Sequence, residues 1–176
     1  VVKHDGTLVD IREPLNRAFI PIAMPDISGS EKEELLDVFN SSFISSNSKA
    51  VQTFEKRFLE FLDQNYGTTV SNGTLALELA IKSLGFNKGA KIGVPNYSFG
   101  ATINAVINCG FEPVLINCDN NLLMDRKHLL AVADLSGLIY VSLYGYANNI
   151  KEVAGYCANK GIFLIEDNAE GLGTSI

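Results

Sequence analysis

The segment that decides the fold runs from Leu138 to Asp167 and reads LIYVSLYGYANNIKEVAGYCANKGIFLIED. Residues 138–143 and 163–167 are short apolar runs, which predict buried strands. Residues 148–160 predict a helix, and Gly161 predicts its C-terminal stop. Two strands joined by a helix form a parallel pair, because parallel strands need a crossover connection.

The same alternation of strands and helices extends from residue 67 to the end of the chain. It predicts further strands near residues 67–71, 91–95 and 112–117, and further helices at about 74–84, 100–109 and 126–133. Gly85 and Gly110 are interpreted as helix stops. The predicted fold class is therefore α/β, with a doubly wound, mostly parallel sheet that carries helices on both faces.

Two helices are predicted ahead of this region. Ser30 and Glu33 fit a capping box at the start of the first helix, and apolar residues follow them at helical spacing. The second helix covers about residues 51–64. Its aromatic stripe is expected to pack into a core and consists of Phe54, Phe58 and Phe61.

The domain organisation follows from these elements. Residues 1–19 are expected to form a leading arm or hairpin around a turn at Asp5-Gly6. Residues 20–176 are expected to hold the two helices and the sheet domain. Because the chain begins with Val and stops at Ile176 just after a glycine-rich turn, we expect it to be a fragment truncated at its carboxyl end.

Composition restricts the classes of function. With 176 residues, 47% of them hydrophobic, and a net charge of -6, the chain is typical of a globular protein and lacks the basic surface that nucleic-acid binding needs. The odd number of three cysteines, Cys109, Cys118 and Cys157, predicts buried reduced thiols rather than disulfides or a metal site. No signal-like or membrane-spanning run is seen, so we expect a cytoplasmic protein without membrane contact.

Two motifs carry chemistry. Ser71-Asn72-Gly73-Thr74 reads as the end of a strand, a turn and a helix start, where free N–H groups and the helix dipole can hold a phosphate. Asp167 ends a buried strand and offers an anionic partner for a protonated ring nitrogen. In a doubly wound sheet ligands bind at the carboxyl ends of strands, where both motifs are predicted to lie.

Plainer interpretations exist for each motif in isolation. Glycine is common in strand-to-helix turns for backbone reasons alone. Asp167 could cap the segment that follows it, and Phe99 could be a core residue. Glu170 could be an ordinary solvated carboxylate.

Four segments read in order resemble the DegT/DnrJ family. They are Val70-Ser71-Asn72-Gly73-Thr74-Leu75-Ala76-Leu77, Val94-Pro95-Asn96-Tyr97-Ser98-Phe99-Gly100-Ala101-Thr102, Leu143-Tyr144-Gly145, and Ile165-Glu166-Asp167-Asn168-Ala169-Glu170. This family comprises fold-type I aminotransferases that depend on pyridoxal 5'-phosphate (PLP) and act on nucleotide-linked keto-sugars. The resemblance covers about residue 20 to the end of the chain.

The resemblance implies a role for six cofactor-binding residues. By this resemblance, the cofactor phosphate is bound by Gly73, Thr74 and the backbone N–H of Leu75. The resemblance also implies that Phe99 stacks on the pyridine ring and that Asp167 pairs with the pyridinium nitrogen. Glu170 stands where the family often has Gln, near the phenolic oxygen of the cofactor.

The chain also departs from the family pattern. Ser142 and Leu172 replace histidines that the family often carries. The Schiff-base lysine of the family lies beyond the strand-end Asp, and no lysine of this chain matches its motif. The resemblance therefore implies no catalytic residue within the chain, and we expect the fragment alone to be inactive.

Three functions are compatible with the sequence. The first is the amino-terminal part of a homodimeric aminotransferase that transfers an amino group from glutamate to a nucleotide-linked keto-sugar, as in polysaccharide biosynthesis. The second is a lysine-free, PLP-dependent sugar dehydratase. The third is a non-catalytic α/β module that binds a nucleotide or phosphate through the turn at Gly73.

Overall fold

The computed structural model describes residues 24–175, which divide into two compact units, the first ending at Asn65 and the second beginning at Tyr66. The predicted leading arm, residues 1–19, lies outside the described residues. The first unit contains two helices, α1 (Glu31–Asn40) and α2 (Lys49–Leu62). Both were predicted from the sequence, with ends that differ by two residues or fewer where bounds were given.

The predicted capping box at α1 is wrong. Ser30 precedes the helix with φ -87° and ψ 7°, and its side chain makes no capping hydrogen bond. An N-cap side chain reaches the free N–H groups of the first turn when its own backbone is extended, and this backbone is not. Ser48, with an extended backbone, caps α2 instead, where its Oγ accepts a hydrogen bond from the N–H of Val51 at 3.4 Å.

The expectation that the aromatic stripe of α2 packs into a core is also wrong. Phe54 and Phe61 are exposed, and α2 has no fully buried residue. Phe58 and Phe54 stack with a centroid distance of 5.5 Å, so these two rings pack against each other along the helix. Helical periodicity identifies an apolar face but carries no information about what covers it.

The second unit is built on a parallel four-stranded sheet. Its strands are β1 (Lys91–Pro95), β2 (Glu112–Ile116), β3 (Leu135–Val141) and β4 (Phe163–Asp167), in the spatial order β2-β1-β3-β4. All three pairings are parallel, with Val141 beside Asp167 at the last register position of β3 and β4. The predicted parallel sheet is confirmed.

Helices cover both faces of this sheet. On one face, α3 (Gly73–Ser83) and α4 (Gly100–Asn108) pack against alternate strand residues such as Ile92 and Ile139. On the other face, α5 (Arg126–Ala131) and α6 (Ile150–Lys160) pack against residues such as Leu138 and Tyr140. Since successive strand residues point to opposite faces, β3 supplies both cores at once.

The strand predicted near residues 67–71 is not formed. Residues 66–70 have no regular structure in the described chain, and residues 66–73 are exposed. The β-branched pair Thr68-Thr69 and Val70 favour a strand, but such residues stabilise one only where a pleated, half-buried surface is available. None of the four described strands pairs with this segment.

Candidate active site at the carboxyl edge of the sheet

The carboxyl ends of the strands bring three polar turns to one edge of the sheet. Asn96 to Phe99 follow β1, Ser142 to Gly145 follow β3, and Asn168 to Glu170 follow β4. A parallel sheet directs all these ends the same way, so residues far apart in sequence become neighbours. The backbone N–H of Ser142, for example, donates to the carbonyl of Asp167 at 3.1 Å.

Asp167 is a half-buried carboxylate whose two oxygens each accept a hydrogen bond. The hydroxyl of Thr102 donates to Oδ2 at 3.2 Å, and the backbone N–H of Ala169 donates to Oδ1 at 3.2 Å. Both oxygens of the carboxyl group therefore act as hydrogen-bond acceptors. The remaining lone pairs can accept a hydrogen bond from a ligand.

Phe99 lies at the start of α4, where it is the N-cap residue with an extended backbone. Its side chain is 81% exposed, so it is not the core residue that the plainer interpretation allowed. An aromatic ring that is this exposed at a helix start can stack on a flat ligand. Thr102, which donates to Asp167, sits three residues further along the same helix.

The turn at Asn72-Gly73-Thr74 begins α3. The Oδ1 of Asn72 caps the helix by accepting a hydrogen bond from the N–H of Leu75 at 3.0 Å. The N–H groups of Gly73 and Thr74 make no hydrogen bond with the described part of the chain. A Cβ built on Gly73 would meet nothing within 4 Å, so space is open above these donors.

The aromatic contacts of Phe86 show which way α3 runs. Its ring packs edge-on against Phe111 and Phe163, each at a centroid distance of 5.7 Å. Both partners lie at the amino ends of strands, so the carboxyl end of α3 is at the amino edge of the sheet. An 11-residue helix and a five-residue strand each span about 16 Å. The Gly73 turn therefore lies towards the carboxyl edge, as Asp167 does.

A third group at this edge is built from Glu170 and the turn after β3. Tyr144 adopts a left-handed backbone with φ 52°, and its N–H donates to Oε2 of Glu170 at 2.7 Å. A hydrogen bond with Tyr97 raises the pKa of Tyr144, and the charge of Glu170 acts in the same direction. Glu170 is thus tied to the site edge rather than freely solvated.

One known protein family matches most of the chain. Residues 25–176 match the model of the DegT/DnrJ/EryC1/StrS aminotransferase family. The chain belongs to this family. The resemblance inferred from the four sequence segments is confirmed.

Curated relatives of this DegT/DnrJ chain include GDP-perosamine synthases. That of Vibrio cholerae is 35% identical over 161 residues, which cover 89% of this chain and 44% of the relative. That of Escherichia coli O157:H7 is 32% identical over 164 residues, with the same two coverages. The chain therefore spans less than half the length of the curated relatives it matches.

Solved structures of similar proteins share the fold. An E. coli GDP-4-keto-6-deoxy-D-mannose-3-dehydratase with bound hydrated PLP superposes with a TM-score of 0.81 at 26% identity, over 89% of this chain and 42% of the other. The aminotransferase from Psychrobacter cryohalolentis gives a TM-score of 0.78 at 26% identity, over 85% of this chain and 39% of the other. These matches confirm the predicted α/β fold class.

The structure adds residues of this DegT/DnrJ domain that sequence reasoning missed. Thr102 and Ser98 were quoted within a motif but given no role. The signal available was local: a threonine on the first turn of a helix, one turn beyond an assigned ring-stacking residue. Its partner, Asp167, is 65 positions away, and only the fold brings the two together.

Metal clusters and membrane-spanning helices are both absent from the described part of the chain. Residues 24–175 contain no group of three or more His, Cys, Asp or Glu side chains that could hold a metal ion. None of the helices in this range is long and apolar enough to cross a membrane. The three cysteines are unpaired; Cys157 is buried, as expected, whereas Cys109 and Cys118 are only half-buried.

Proposed function

We propose that this chain is the amino-terminal part of a PLP-dependent aminotransferase that transfers an amino group from glutamate to a nucleotide-linked keto-sugar. The observation that carries the proposal is the Asp167 carboxylate at the end of β4, which accepts hydrogen bonds from Thr102 and Ala169 at the edge towards which α3 presents its N-terminus. Family membership and relatives named GDP-perosamine synthase support it and favour a GDP-linked sugar.

The residues at this edge fit PLP. The open space at Gly73 and the free N–H groups of Gly73 and Thr74 suit a phosphate at a helix N-terminus. The exposed ring of Phe99 can stack on a pyridine ring. The Leu75 N–H is already capped by Asn72, so it would contact a phosphate only if that cap were shared or released.

Each residue would then have a distinct task. When bound, PLP supplies an electron sink that stabilises negative charge at the reacting carbon of the substrate. Asp167 would keep the proton on the ring nitrogen, because an ionised carboxylate stabilises the adjacent cation. Phe99 would hold the ring plane, and Glu170 would set the charge near the phenolic oxygen. The chain supplies no residue for the lysine position, which we place in sequence beyond it.

The proposal extends to the assembly and its setting. We propose a cytoplasmic homodimer, because the family resemblance implies a site built between two subunits. The fully assembled enzyme would make amino-sugar nucleotides for polysaccharide biosynthesis. The similarity to a spore coat polysaccharide biosynthesis protein of Bacillus subtilis, 29% identical over 160 residues, supports this setting.

A second candidate is a PLP-dependent sugar dehydratase. The observation that favours it is the TM-score of 0.81 with a dehydratase that holds PLP. Both activities need the same ring-nitrogen partner and phosphate turn, so the described residues serve either. The nature of the product separates them: an amino sugar in one case and a deoxygenated keto-sugar in the other.

The test uses the full-length protein that contains this chain, incubated with PLP, glutamate and a GDP-linked 4-keto-6-deoxy sugar. We expect an amino-sugar nucleotide by mass spectrometry, in amounts matched by 2-oxoglutarate. A deoxygenated product would favour the dehydratase. Absence of both products together with absence of PLP binding would leave only the non-catalytic phosphate-binding module.

Asp167→Asn provides the matched test of the site. Asparagine keeps the shape but loses the charge that retains the ring proton, so we expect turnover to fall at least about a hundredfold. The control is Glu112→Gln, which removes a carboxylate from an exposed residue at the amino end of β2. Equal losses in the two variants would contradict the assignment of Asp167.

A further inference from the structure

Thr102 occupies an unusual position on the first turn of α4. Its side chain is 1% exposed, although the carboxyl edge around it is open. Its Oγ1 lies 3.2 Å from Oδ2 of Asp167 and 2.8 Å from Oγ of Ser98. One hydroxyl therefore connects the loop before α4 to the carboxylate at the end of β4.

The direction of these hydrogen bonds follows from the proton count. An ionised carboxylate only accepts, so Thr102 gives its single hydroxyl proton to Asp167. Ser98 must then donate to Oγ1 of Thr102. The alternative acceptor for Ser98, the carbonyl of Phe99, lies at 3.4 Å and is the weaker partner. The bonds run from Ser98 to Thr102 to Asp167.

If Thr102 had only a local structural role, we would expect a different hydrogen-bond geometry for its hydroxyl. A threonine in a helix usually returns its hydroxyl to a carbonyl one turn back, which satisfies it locally. Here the hydroxyl is committed to a side chain 65 positions away. Thr102 is the donor that Oδ2 of Asp167 has within residues 24–175, so its loss would leave the carboxylate held only through Oδ1 by Ala169.

We propose that Thr102 is a positioning residue that fixes the Asp167 carboxylate relative to the Phe99 ring, so that a planar cofactor finds its nitrogen partner and its stacking surface at a set separation. Phe99 is the N-cap residue of α4, and its carbonyl accepts a hydrogen bond from the N–H of Thr102 at 3.1 Å, so the backbones of the two residues are directly connected. This inference rests on the proposed function. Thr102 does not itself touch the cofactor; it acts through Asp167.

The experiment measures PLP affinity of the full-length protein and of its Thr102→Val and Thr102→Ser variants. Valine keeps the shape and removes the hydroxyl, and we expect it to weaken PLP binding about three- to tenfold. Serine keeps the hydroxyl and should bind within about twofold of the wild type. Ser98→Ala should weaken binding by about two- to threefold, because it removes the outer bond only.

A PLP analogue with C–H in place of the ring nitrogen makes the test specific. It cannot engage Asp167 through a protonated nitrogen, so the penalty of Thr102→Val should vanish with this analogue. An equal penalty for PLP and the analogue would overturn the proposal in favour of a packing role. Unchanged PLP affinity in Thr102→Val would overturn it as well.

Two outcomes separate this inference from the proposed function. If the wild type fails to bind PLP, or binds it no better than the analogue, the proposed function and the inference both fail. If the wild type discriminates and Asp167→Asn abolishes the discrimination while Thr102→Val retains it, only the inference fails. If Thr102→Val does not fold, the Ser98→Ala variant provides the test. A PLP affinity of Ser98→Ala equal to that of the wild type would then overturn the proposal.

Discussion

Substitution of Gly73 should weaken ligand binding without lowering the stability of the protein. Its backbone φ is not in the left-handed region, and an added Cβ would meet nothing within 4 Å. Gly73→Ala should therefore leave the free energy of unfolding unchanged or raise it by about 0.4–1 kcal/mol. A methyl group would occupy the space in which a phosphate approaches the backbone, so PLP affinity should fall at least about tenfold.

Pyridoxal, which lacks the phosphate, is the control ligand for Gly73→Ala. Its affinity should change little, since the methyl group opposes only the phosphate. Urea unfolding of the ligand-free protein gives the free energy of unfolding, and titrations with PLP and with pyridoxal give the two affinities. A comparable loss for pyridoxal would place the effect of the methyl group elsewhere in the site.

At the scale of single residues, the sequence indicates those candidate site positions whose signal is local. Gly73 stands at a helix start and Asp167 at a strand end, and both patterns are visible within a few residues of the chain. For Thr102 and Ser98 the local signal is weak, because the role proposed for them depends on a carboxylate that only the fold brings close. The cap formed by Asn72 on Leu75 was likewise missed, although Asn is a preferred N-cap residue.

At the scale of elements, the loops after β3 and β4 pack against each other through Gly171 and Ser142. A Cβ on Gly171 would clash with the Cβ of Ser142, which is buried and cannot move aside like the tip of a long side chain. The Oγ of Ser142 also donates to Oδ1 of Asn168 at 2.9 Å, which holds the two loops in register. Gly171 is therefore required for space rather than for backbone freedom.

Gly171→Ala should lower the free energy of unfolding by about 1–3 kcal/mol, the usual cost of overpacking. The matched control is Gly155→Ala on α6, where an added Cβ meets nothing within 4 Å and alanine favours the helix. Chemical denaturation of the two variants checks the difference. The double variant Gly171→Ala with Ser142→Gly should recover part of the loss, and no recovery would place the clash elsewhere.

Helices and strands were predicted correctly where the periodic signal is strong. The predictions were wrong where the structure depends on a second element to pack against or pair with. Gly85, Gly110 and Gly161 end α3, α4 and α6 with positive φ, as their positions predicted. The segment at 67–71 has the composition of a strand but is not part of the four-stranded sheet. The apolar face of α2 was found correctly, whereas its burial was not, because an amphipathic pattern does not identify its own partner.

At the scale of the whole molecule, β3 joins the two cores through side chains that alternate between faces. Tyr140 on this strand is fully buried, and its hydroxyl donates to Oδ1 of Asn149 at 2.7 Å. The Nδ2 of Asn149 in turn donates to the carbonyl of Met124 at 2.9 Å. This network ties the sheet to the segments that precede α5 and α6, so its integrity bears on global stability.

The stability of the molecule should therefore depend on pH in a defined window. Burial, with smaller contributions from the charges of Asp119 and Glu166, raises the pKa of Tyr140 from 10.0 to about 12. The folded state keeps the neutral phenol, so this contribution is complete below pH 10. As the pH rises from 10 to about 12 the unfolded chain loses the proton first, and the free energy of unfolding falls.

Tyr140→Phe isolates that contribution. Below pH 10 the variant should be less stable by about 1 kcal/mol, because the hydrogen bond to Asn149 is lost. Above pH 10 its stability should fall less steeply than that of the wild type, so the two curves converge. Tyr66→Phe changes a side chain that is 93% exposed and should follow the wild type throughout. Urea unfolding at intervals from pH 8 to 12 gives the comparison, and parallel curves for Tyr140→Phe and wild type would show that the buried phenol does not govern this loss.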